Sequence, residues 1–538
     1  MDFDLVIVGM GPVGAVAANL AGQSGLKTLV VDKSPTVFDK PRAMGFDHEI
    51  MRILGNLGIV EKIADHVMPY RPSEYRTTDG RLIRRIDAAS EPYPLGWAPN
   101  YVFLQPQVEG ALRDNLAQYA SVSVELGAEV LDVASDATGA STTIRLASGE
   151  ERRYRSSYVL ACDGGTSPIR TKRGLDMEDL DFDEPWLVVD VILKEGCGAS
   201  LPATNVQYCE VERPATFVVG PGQVRRWEFM INPGEIPADV SQPEIVRKLI
   251  SRWLQPNEYE IWRASTYRFH ALVLKQWRAE SIFFLGDAAH MTPPFLAQGM
   301  CQGIRDAANL IWKIALVKQG YADTRLLDTY EAERAPHVRQ TTLVTKDLGK
   351  EICERDIARA KERDDRLLDD LQTSPGGMVR QSLIPGLRAG FLSASDVGPR
   401  GALFPQPHVR NATGNEAFLD EFTGARFRVV TSGTLDAAAL ERLAEICASL
   451  KHLPVELVEV VPQGADVAGR TGVYQDVGGV LLAWMERHGC ALAVIRPDHY
   501  VFGAARDAQG GMDLVRELAS ALQGVRRETV DEVRAVHG

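Results

Sequence analysis

The N-terminal stretch DFDLVIVGMGPVGAVAANLAGQSGLKTLVVDK constrains the fold more than any other part of the chain. Residues Leu5 to Val8 are continuously apolar, as in a buried parallel strand, and Gly9, Gly11 and Gly14 follow with the spacing GxGxxG. A helix of small residues and a second apolar strand come next. This order of strand, glycine-rich turn, helix and strand predicts a βαβ unit that binds a dinucleotide.

Each glycine of this turn has a physical role in such a unit. Gly9 forms the tight turn, Gly11 allows the backbone to approach a pyrophosphate, and Gly14 lets the helix pack closely on the strand. Asp32 ends the second strand 18 residues after Gly14, where it can accept hydrogen bonds from an adenosine ribose. A βαβ unit without a ligand is the alternative, but it leaves the position of Asp32 unexplained.

Size and composition exclude several other classes of protein. A chain of 538 residues is expected to form two or three domains. Its net charge of −13 argues against nucleic acid or an anionic membrane as a partner, and it has no uninterrupted apolar run of about twenty residues to span a membrane. Its seven cysteines are scattered without CxxC, which indicates a cytoplasmic protein with reduced thiols and without a metal site.

Two further apolar strands are predicted to end at an acid beside glycine. Asp163 follows the strand in SSYVLACDGG, and Asp287 follows the strand in SIFFLGDAAH. Because no second GxGxxG occurs, the chain is either a nicotinamide dehydrogenase or a flavoprotein without a separate nicotinamide domain. Asp287 can accept a hydrogen bond from the ribityl chain of FAD, which nicotinamide cofactors lack.

A helix predicted to begin at Gly299 strengthens the flavin interpretation. Its free N–H groups and positive dipole would point at the flavin edge that becomes anionic on reduction. The alternative is a strand, turn and helix whose acid only caps the helix.

Several segments occur in an order that resembles the single-component FAD-dependent aromatic hydroxylases, the class A flavoprotein monooxygenases. They are the GxGxxG stretch, PRAMGFDHEIMRILGNLGI, FLQPQVEGALR, CDGGTSPIR and GDAAHMTPPFLAQGMCQGIRDAANLIWK. Within that class, YCEVERP, VRRWEFMINPGE and IRPDHYVFGA are most similar to 3-(3-hydroxyphenyl)propionate hydroxylases.

The resemblance implies an α/β fold with three parts. The first is a Rossmann-like FAD-binding domain of the p-hydroxybenzoate hydroxylase type, formed by residues 1–180 and by residues 271–395 with their connecting helices. Residues 181–270, rich in short alternating strands, form an inserted antiparallel sheet that covers the substrate. Residues 400–538 resemble a thioredoxin-like α/β domain, but without CxxC they are expected to pack or oligomerise rather than to carry redox chemistry.

The resemblance also implies a set of FAD-binding residues. These are Gly9, Gly11, Gly14 and Asp32 in the N-terminal unit, Arg42 near the pyrophosphate, Gln105 near the adenosine half, Asp163 in the DG motif, Asp287 at the ribityl chain, and Gly299, Met300 and Cys301 at the isoalloxazine ring.

Two positions depart from the pattern of these hydroxylases. Ala297 stands where close relatives often have glycine, and Cys301 stands where asparagine is common. The expected contact at Cys301 is a backbone N–H, so the different side chain still allows it.

The candidate substrate residues are fewer. Pro294, Tyr208 and Arg226 are predicted to be catalytic, and Met44, Phe46 and Glu228 to contact the substrate. For Tyr208 and Phe46 the alternative is a place in the hydrophobic core, and for Arg226 it is a solvated sheet face. Arg226 is also the candidate partner for a substrate carboxylate.

Together these features predict a monooxygenase that uses FAD, NADPH or NADH, and O2. The resemblance implies that it hydroxylates a phenol ortho to its hydroxyl through a flavin C4a-hydroperoxide, with a 3-(3-hydroxyphenyl)propionate-like acid as substrate in aromatic catabolism. Two alternatives stay open, an FAD monooxygenase of a bulkier substrate such as a polyketide and a non-catalytic FAD-binding protein. A homodimer is also open.

Overall fold

The computed structural model describes residues 1–70, 73–373, 378–395, 398–450, 453 and 455–524. They form two compact units. The large unit contains Met1–Tyr93, Trp97–Ala307 and Ala335–Pro385, and the small unit contains Pro94–Gly96, Ala308–Arg334 and the described part of Gly386–Gly538. No helix within the described ranges is long and apolar enough to cross a membrane.

Helices occur in both units. The α-helices span Pro12–Gln23, His48–Asn56, Val60–Ile63, Gln105–Asn115, Pro168–Lys172, Pro237–Val240, Pro243–Ile250, Gly299–Lys318, Thr329–Ile352, Ile357–Thr373, Leu419–Thr423, Ala437–Ser449, Val480–Arg487 and Ala508–Gln523. The 3-10 helices span Ala64–His66, Leu116–Gln118, Gly286–Ala288, Pro294–Leu296, Thr324–Asp328 and Arg380–Leu383.

The first sheet of the large unit is built around the N-terminal strand. Phe3–Val8 pairs in parallel with Thr28–Asp32 on one side and with Glu151–Ala161 on the other, as the βαβ pattern predicts. Ile282–Phe284 pairs in parallel with Glu151–Ala161. The other strands of this eight-stranded sheet are Val122–Leu126, Glu129–Asp136, Gly139–Arg145 and Arg278–Ala279.

Parallel pairing explains why residues far apart in sequence meet. Phe3–Val8, Glu151–Ala161 and Ile282–Phe284 run in the same direction, so they end at the same edge of the sheet. Gly9, Asp163 and Asp287 each follow one of these strand ends. In open parallel sheets this edge is where ligands bind.

The second sheet of the large unit has nine strands among the described residues. They are Ser73–Arg76, Leu82–Asp87, Met177–Leu193, Val206–Tyr208, Ala215–Val219, Val224–Met230, Tyr259–Leu274, His290–Met291 and Met378–Val379. The antiparallel insertion predicted for residues 181–270 supplies its centre. The sheet also includes strands from outside that range, because Ser73–Arg76 pairs in parallel with Val206–Tyr208.

Alternation along these strands separates two faces. Val189, Phe217 and Trp227 are fully buried in an apolar cluster on one face. Because successive side chains of a strand point to opposite faces, their neighbours Asp190 and Arg226 lie on the other face. That second face is polar although it is also buried.

The remaining sheet of the large unit has three strands, Gly45–Asp47, Val67–Pro69 and Asn100–Phe103. Asp47 ends the first of them and caps the helix His48–Asn56, since its side chain accepts hydrogen bonds from the N–H groups of Glu49 and Ile50.

The small unit contains a seven-stranded mixed sheet. Its strands are His408–Arg410, Glu416–Phe418, Phe427–Thr431, Val455–Pro462, Val473–Asp476, Leu492–Ile495 and Val501–Ala505. The predicted α/β character of the C-terminal region is thus present, while its thioredoxin-like description stays a prediction. Residues 525–538 of the predicted domain lie outside the described residues.

A buried ionic cluster joins helix and sheet within the small unit. Glu333 contacts Arg496 at 2.7 Å and Lys313 at 2.8 Å, and Asp498 contacts Arg496 at 2.6 Å. Burial opposes ionisation of Glu333, but the charges of Arg496 and Lys313 prevail and hold the pKa of its carboxyl at about 2. Each charge in the cluster therefore depends on its partners.

We predict that Glu333→Gln destabilises this unit by about 3 kcal/mol or more, because it leaves Arg496 and Lys313 buried without their shared carboxylate. Hydrogen exchange at Phe427–Thr431 in the full chain measures the effect, with the exposed Glu441→Gln as control. Since the folded-state pKa lies below the ordinary value of 4.5, the stabilisation is present above pH 4.5 and is lost as the pH falls towards 2. A difference from wild type that stays constant over this range would contradict the account.

Candidate active site

A cavity of about 420 Å³ lies in the large unit, between the glycine-rich turn and the polar face of the nine-stranded sheet. Predicted site residues lining it are Gly11, Gly14, Arg42, Met44, Gln105, Arg226, Glu228, Asp287, Pro294, Gly299 and Met300.

The three glycines of the turn differ in their surroundings. A Cβ on Gly9 would lie 2.3 Å from the carbonyl oxygen of Cys162, and Gly9 has a φ of +96° that disfavours other residues. A Cβ on Gly14 would lie 1.9 Å from the carbonyl oxygen of Gly9. At Gly11 a Cβ would meet nothing within 4 Å. Gly9 and Gly14 therefore permit the turn itself, whereas Gly11 leaves open a cradle on the cavity wall.

Asp32 and Asp163 stand behind this wall rather than on it. Asp32 accepts a hydrogen bond from the N–H of Met10 at 2.6 Å and so fixes the turn. Asp163 accepts one from the N–H of Ile169 at 3.2 Å, and its Oδ1 is buried without a partner among the described residues. Burial raises the pKa of Asp163. Both acids shape the turn region without lining the cavity.

Asp287 is the acid that faces the cavity. Its carboxylate makes no hydrogen bond within the described part of the chain, and desolvation by the surrounding wall raises its pKa. Arg170 steadies this edge, because its guanidinium donates to the carbonyl oxygens of Ala288 at 2.9 Å and of Gly165 at 2.6 Å. An open carboxylate in this position suits a ligand rich in hydroxyl groups.

The helix Gly299–Lys318 begins at the cavity. The helix packs closely against Gly286 because residue 303 is glycine; a Cβ at Gly303 would lie 2.8 Å from the Cα of Gly286. Ala297, just before the helix, has a left-handed φ of +51° that glycine adopts more easily. Cys301 is buried below the lining, where its thiol donates to the carbonyl oxygen of Ala297 at 3.2 Å and burial raises its pKa to about 12.

Gln105 acts on the segment that carries Arg42. Its Oε1 accepts hydrogen bonds from the N–H groups of Arg42 at 2.9 Å and Ala43 at 2.8 Å. The Arg42 guanidinium stacks over the ring of Phe38, 5.0 Å from its centroid. Gln105 therefore positions the backbone beside the cavity in addition to lining it.

A row of charged residues crosses the polar face of the nine-stranded sheet. Arg226, Asp190 and Arg263 are cross-strand neighbours, in that order. Arg226 donates to both carboxylate oxygens of Asp190 at 2.7 and 3.1 Å, and to the carbonyl oxygens of Pro41 and Arg42 at 2.8 Å each. Arg263 also donates to Pro41 and lies 3.7 Å from Asp190. We call these three residues the ionic row.

The ionic row changes the interpretation of Arg226. The sequence suggested a solvated face or a partner for a substrate carboxylate, but Arg226 is only 4% exposed. Four of its N–H groups are already hydrogen-bonded to Asp190 and to the Pro41–Arg42 backbone. It lines the cavity as a structural clamp on that backbone.

A second row lies beside the ionic row on the same face. Gln207, Thr216 and Glu228 are cross-strand neighbours, and we call them the polar row. All three line the cavity, and they are 6%, 4% and 7% exposed. Thr216 donates its hydroxyl to Oε1 of Gln207 at 2.6 Å. Burial raises the pKa of Glu228.

Two residues lie away from the cavity, Tyr208, which was predicted to be catalytic, and Phe46, which was predicted to contact the substrate. Tyr208 follows Gln207 on its strand, so it points to the opposite face, where Trp253 donates to its hydroxyl at 3.1 Å. Phe46 is fully buried against Tyr101 and Phe103, at centroid distances of 5.4 and 5.0 Å. For both residues the structure shows the core position that the sequence left as the alternative.

Several lining residues escaped the sequence analysis. No local sequence pattern marks these residues, because strand register or chain segments far from the motifs bring them to the cavity. They include Asn205, Gln207, Thr216, Arg263 and Arg380.

The comparisons with known proteins agree with this geometry. Residues 2–345 match the family model described as FAD binding domain, and residues 401–521 match the model described as HcaD C-terminal domain. The open cradle at Gly11 and the unpaired carboxylate of Asp287 fit a flavin dinucleotide.

Curated relatives cover nearly the whole chain. A probable NADH-specific resorcinol 4-hydroxylase of Rhodococcus jostii (strain RHA1) is 33% identical over 528 residues, which are 97% of this chain and 96% of the relative. The 3-(3-hydroxy-phenyl)propionate/3-hydroxycinnamic acid hydroxylase of Burkholderia cenocepacia (strain HI2424) is 30% identical over 541 residues, 98% of each chain.

Solved structures share the fold. The flavin-dependent monooxygenase PieE in complex with FAD and substrate has a TM-score of 0.79 at 21% identity, covering 97% of this chain and 99% of its own. Aklavinone-11 hydroxylase with FAD and aklavinone has a TM-score of 0.76 at 20% identity, covering 96% and 99%. The chain belongs to the FAD binding domain family and is an FAD-dependent aromatic hydroxylase of class A.

Proposed function

We propose that this chain hydroxylates a phenol ortho to its hydroxyl, using O2 and NADH or NADPH. The observation that supports this proposal is that the glycine-rich turn, Asp287 and the polar face of the nine-stranded sheet line the same cavity. The substrates named for the two relatives, resorcinol and 3-(3-hydroxyphenyl)propionate, are both phenols with a second substituent in the meta position. A meta-substituted phenol is therefore the proposed substrate class.

The proposed cofactor residues divide by position. Gly11 would hold the pyrophosphate, and Asp287 would accept hydrogen bonds from the ribityl hydroxyls. The first N–H groups of the helix beginning at Gly299, with Met300, would contact the isoalloxazine ring. Asp32 and Asp163 would support the site indirectly, because they hold the backbone of the turn region through the N–H groups of Met10 and Ile169. When bound, FAD supplies electron transfer from the nicotinamide and activation of O2.

This chain's own residues would exclude water and position the substrate. Met44, Val188 and Phe295 give the cavity apolar walls that exclude water from the reacting atoms. Pro294 and the ionic row fix the loop and the backbone that line the cavity, which would hold a bound phenol in one orientation. The predicted homodimer, the cytoplasmic location and the absence of nucleic-acid and membrane partners stay predictions.

We predict that Gly11→Val weakens FAD binding by about tenfold or more without lowering the melting temperature of the apoprotein, because its side chain would occupy only the cradle. Gly11 has a φ of −69°, which any residue adopts. The matched variant Gly14→Ala should lower the apoprotein melting temperature, since its Cβ would strike the Gly9 carbonyl. Fluorescence titration with FAD and thermal melts measure both effects. Equal FAD affinity of wild type and Gly11→Val would contradict the proposed cradle.

We predict that the FAD-loaded chain oxidises NADH faster when a meta-substituted phenol is present and forms a product heavier by one oxygen atom. The panel contains resorcinol, 3-(3-hydroxyphenyl)propionate, 3-hydroxycinnamate and p-hydroxybenzoate, with mass spectrometry of the products and a peroxide assay. Peroxide without hydroxylated product from every phenol would favour a bulkier substrate. Failure of all phenols to stimulate oxidation would contradict the proposed substrate class.

A further inference from the structure

The polar row has hydrogen-bonding groups that no other described residue satisfies. The Thr216 hydroxyl donates to Oε1 of Gln207, which leaves Nε2 as the free donor of that amide. Among the described residues, Nε2 of Gln207 has no hydrogen-bond partner, and the nearest charged contact of the Glu228 carboxylate is Arg226 at 3.8 Å. Both side chains are more than nine-tenths buried and line the cavity. Buried polar groups of this kind are usually satisfied by a ligand or by water.

The spacing of the polar row suits a small hydroxyl group. Gln207 and Glu228 lie two strands apart, so their Cα atoms are about 10 Å apart. The shorter Thr216 stands between them and leaves a gap in the sheet face. A ring hydroxyl in this gap could accept from Gln207 and donate to Glu228.

The two arginines of the ionic row beside the gap are not available to a carboxylate. Arg226 and Arg263 are engaged by Asp190 and Pro41. Arg380 also lines the cavity, but it donates to Oδ1 of Asn100 and to the carbonyl oxygen of Leu296. The burial that raises the pKa of Glu228 would disfavour a second carboxylate beside it in the same way.

We infer that the polar row binds an uncharged hydroxyl in the meta position of the substrate, so that the cavity selects a dihydroxybenzene over a phenol with a carboxylate side chain. This inference rests on the proposed function and specifies the substrate class of the same site. Gln207 is its main specificity-determining residue, with Thr216 orienting the amide and Glu228 accepting from the hydroxyl.

Ligand binding to the oxidised holoenzyme tests the inference without turnover. Isothermal titration calorimetry compares resorcinol, phenol and 3-(3-hydroxyphenyl)propionate. We expect resorcinol to bind about tenfold more tightly than phenol, because phenol leaves the polar row unsatisfied. We expect a similar preference over 3-(3-hydroxyphenyl)propionate.

Variants assign the preference to the polar row. Gln207→Leu should abolish the preference for resorcinol over phenol. The control Gln223→Leu, at an exposed position in the turn before Val224–Met230 that does not line the cavity, should keep it. Glu228→Gln should narrow the gap between resorcinol and 3-(3-hydroxyphenyl)propionate by about threefold or more, because it removes the negative charge. If Gln207→Leu does not fold, Thr216→Val tests the same point by releasing the amide.

Two outcomes would overturn the inference. One is an unchanged resorcinol-to-phenol ratio in both Gln207→Leu and Thr216→Val. The other is tightest binding of 3-(3-hydroxyphenyl)propionate by the wild type. Loss of that binding in Arg380→Met would then assign the carboxylate to Arg380. Product analysis distinguishes this inference from the proposed function. A preference for resorcinol that depends on Gln207, without formation of hydroxylated product, would support the inference and contradict the proposed function.

Discussion

The buried carboxylate of Asp190 holds the two sides of the cavity in the large unit together. It is fully buried and lies between two arginines, Arg226 and Arg263, whose remaining donors reach the carbonyl oxygens of Pro41 and Arg42. A buried arginine is tolerated only when its charge and its donors are satisfied. The ionic row therefore fixes the backbone beside the glycine-rich turn to the nine-stranded sheet that lines the cavity, and the geometry of the cavity follows from it.

Local rules account for the fold as far as they reach. The parallel order around Phe3–Val8 follows from the GxGxxG pattern, because its glycines permit contacts that a Cβ would block. The alternating strands of residues 181–270 likewise indicate an antiparallel sheet. The parallel pairing of Ser73–Arg76 with Val206–Tyr208 has no local signal, because it depends on tertiary contacts between distant segments.

The site shows the same division. Asp287 is identifiable because it follows a buried parallel strand, and the carboxyl ends of such strands meet at the edge where ligands bind. Gln207 was not, since only strand register places it on the cavity face while its neighbour Tyr208 points into the core. Arg226 was found as a residue but not as a clamp, because its partner Asp190 lies 36 residues away along the chain.

The most direct test of this account is the ratio of hydroxylated product to peroxide in Arg226→Lys. Lysine cannot reproduce the planar fork that reaches Asp190 and two carbonyl oxygens at once. We expect the variant to bind FAD but to give a ratio of hydroxylated product to peroxide about tenfold lower than wild type. The reason is that the Pro41–Arg42 backbone, no longer clamped, would shift relative to the bound phenol. The control is Arg225→Lys, because Arg225 donates to the backbone carbonyl oxygens of Gly220, Gly222 and Val224. An unchanged ratio in Arg226→Lys would contradict the central role of the ionic row.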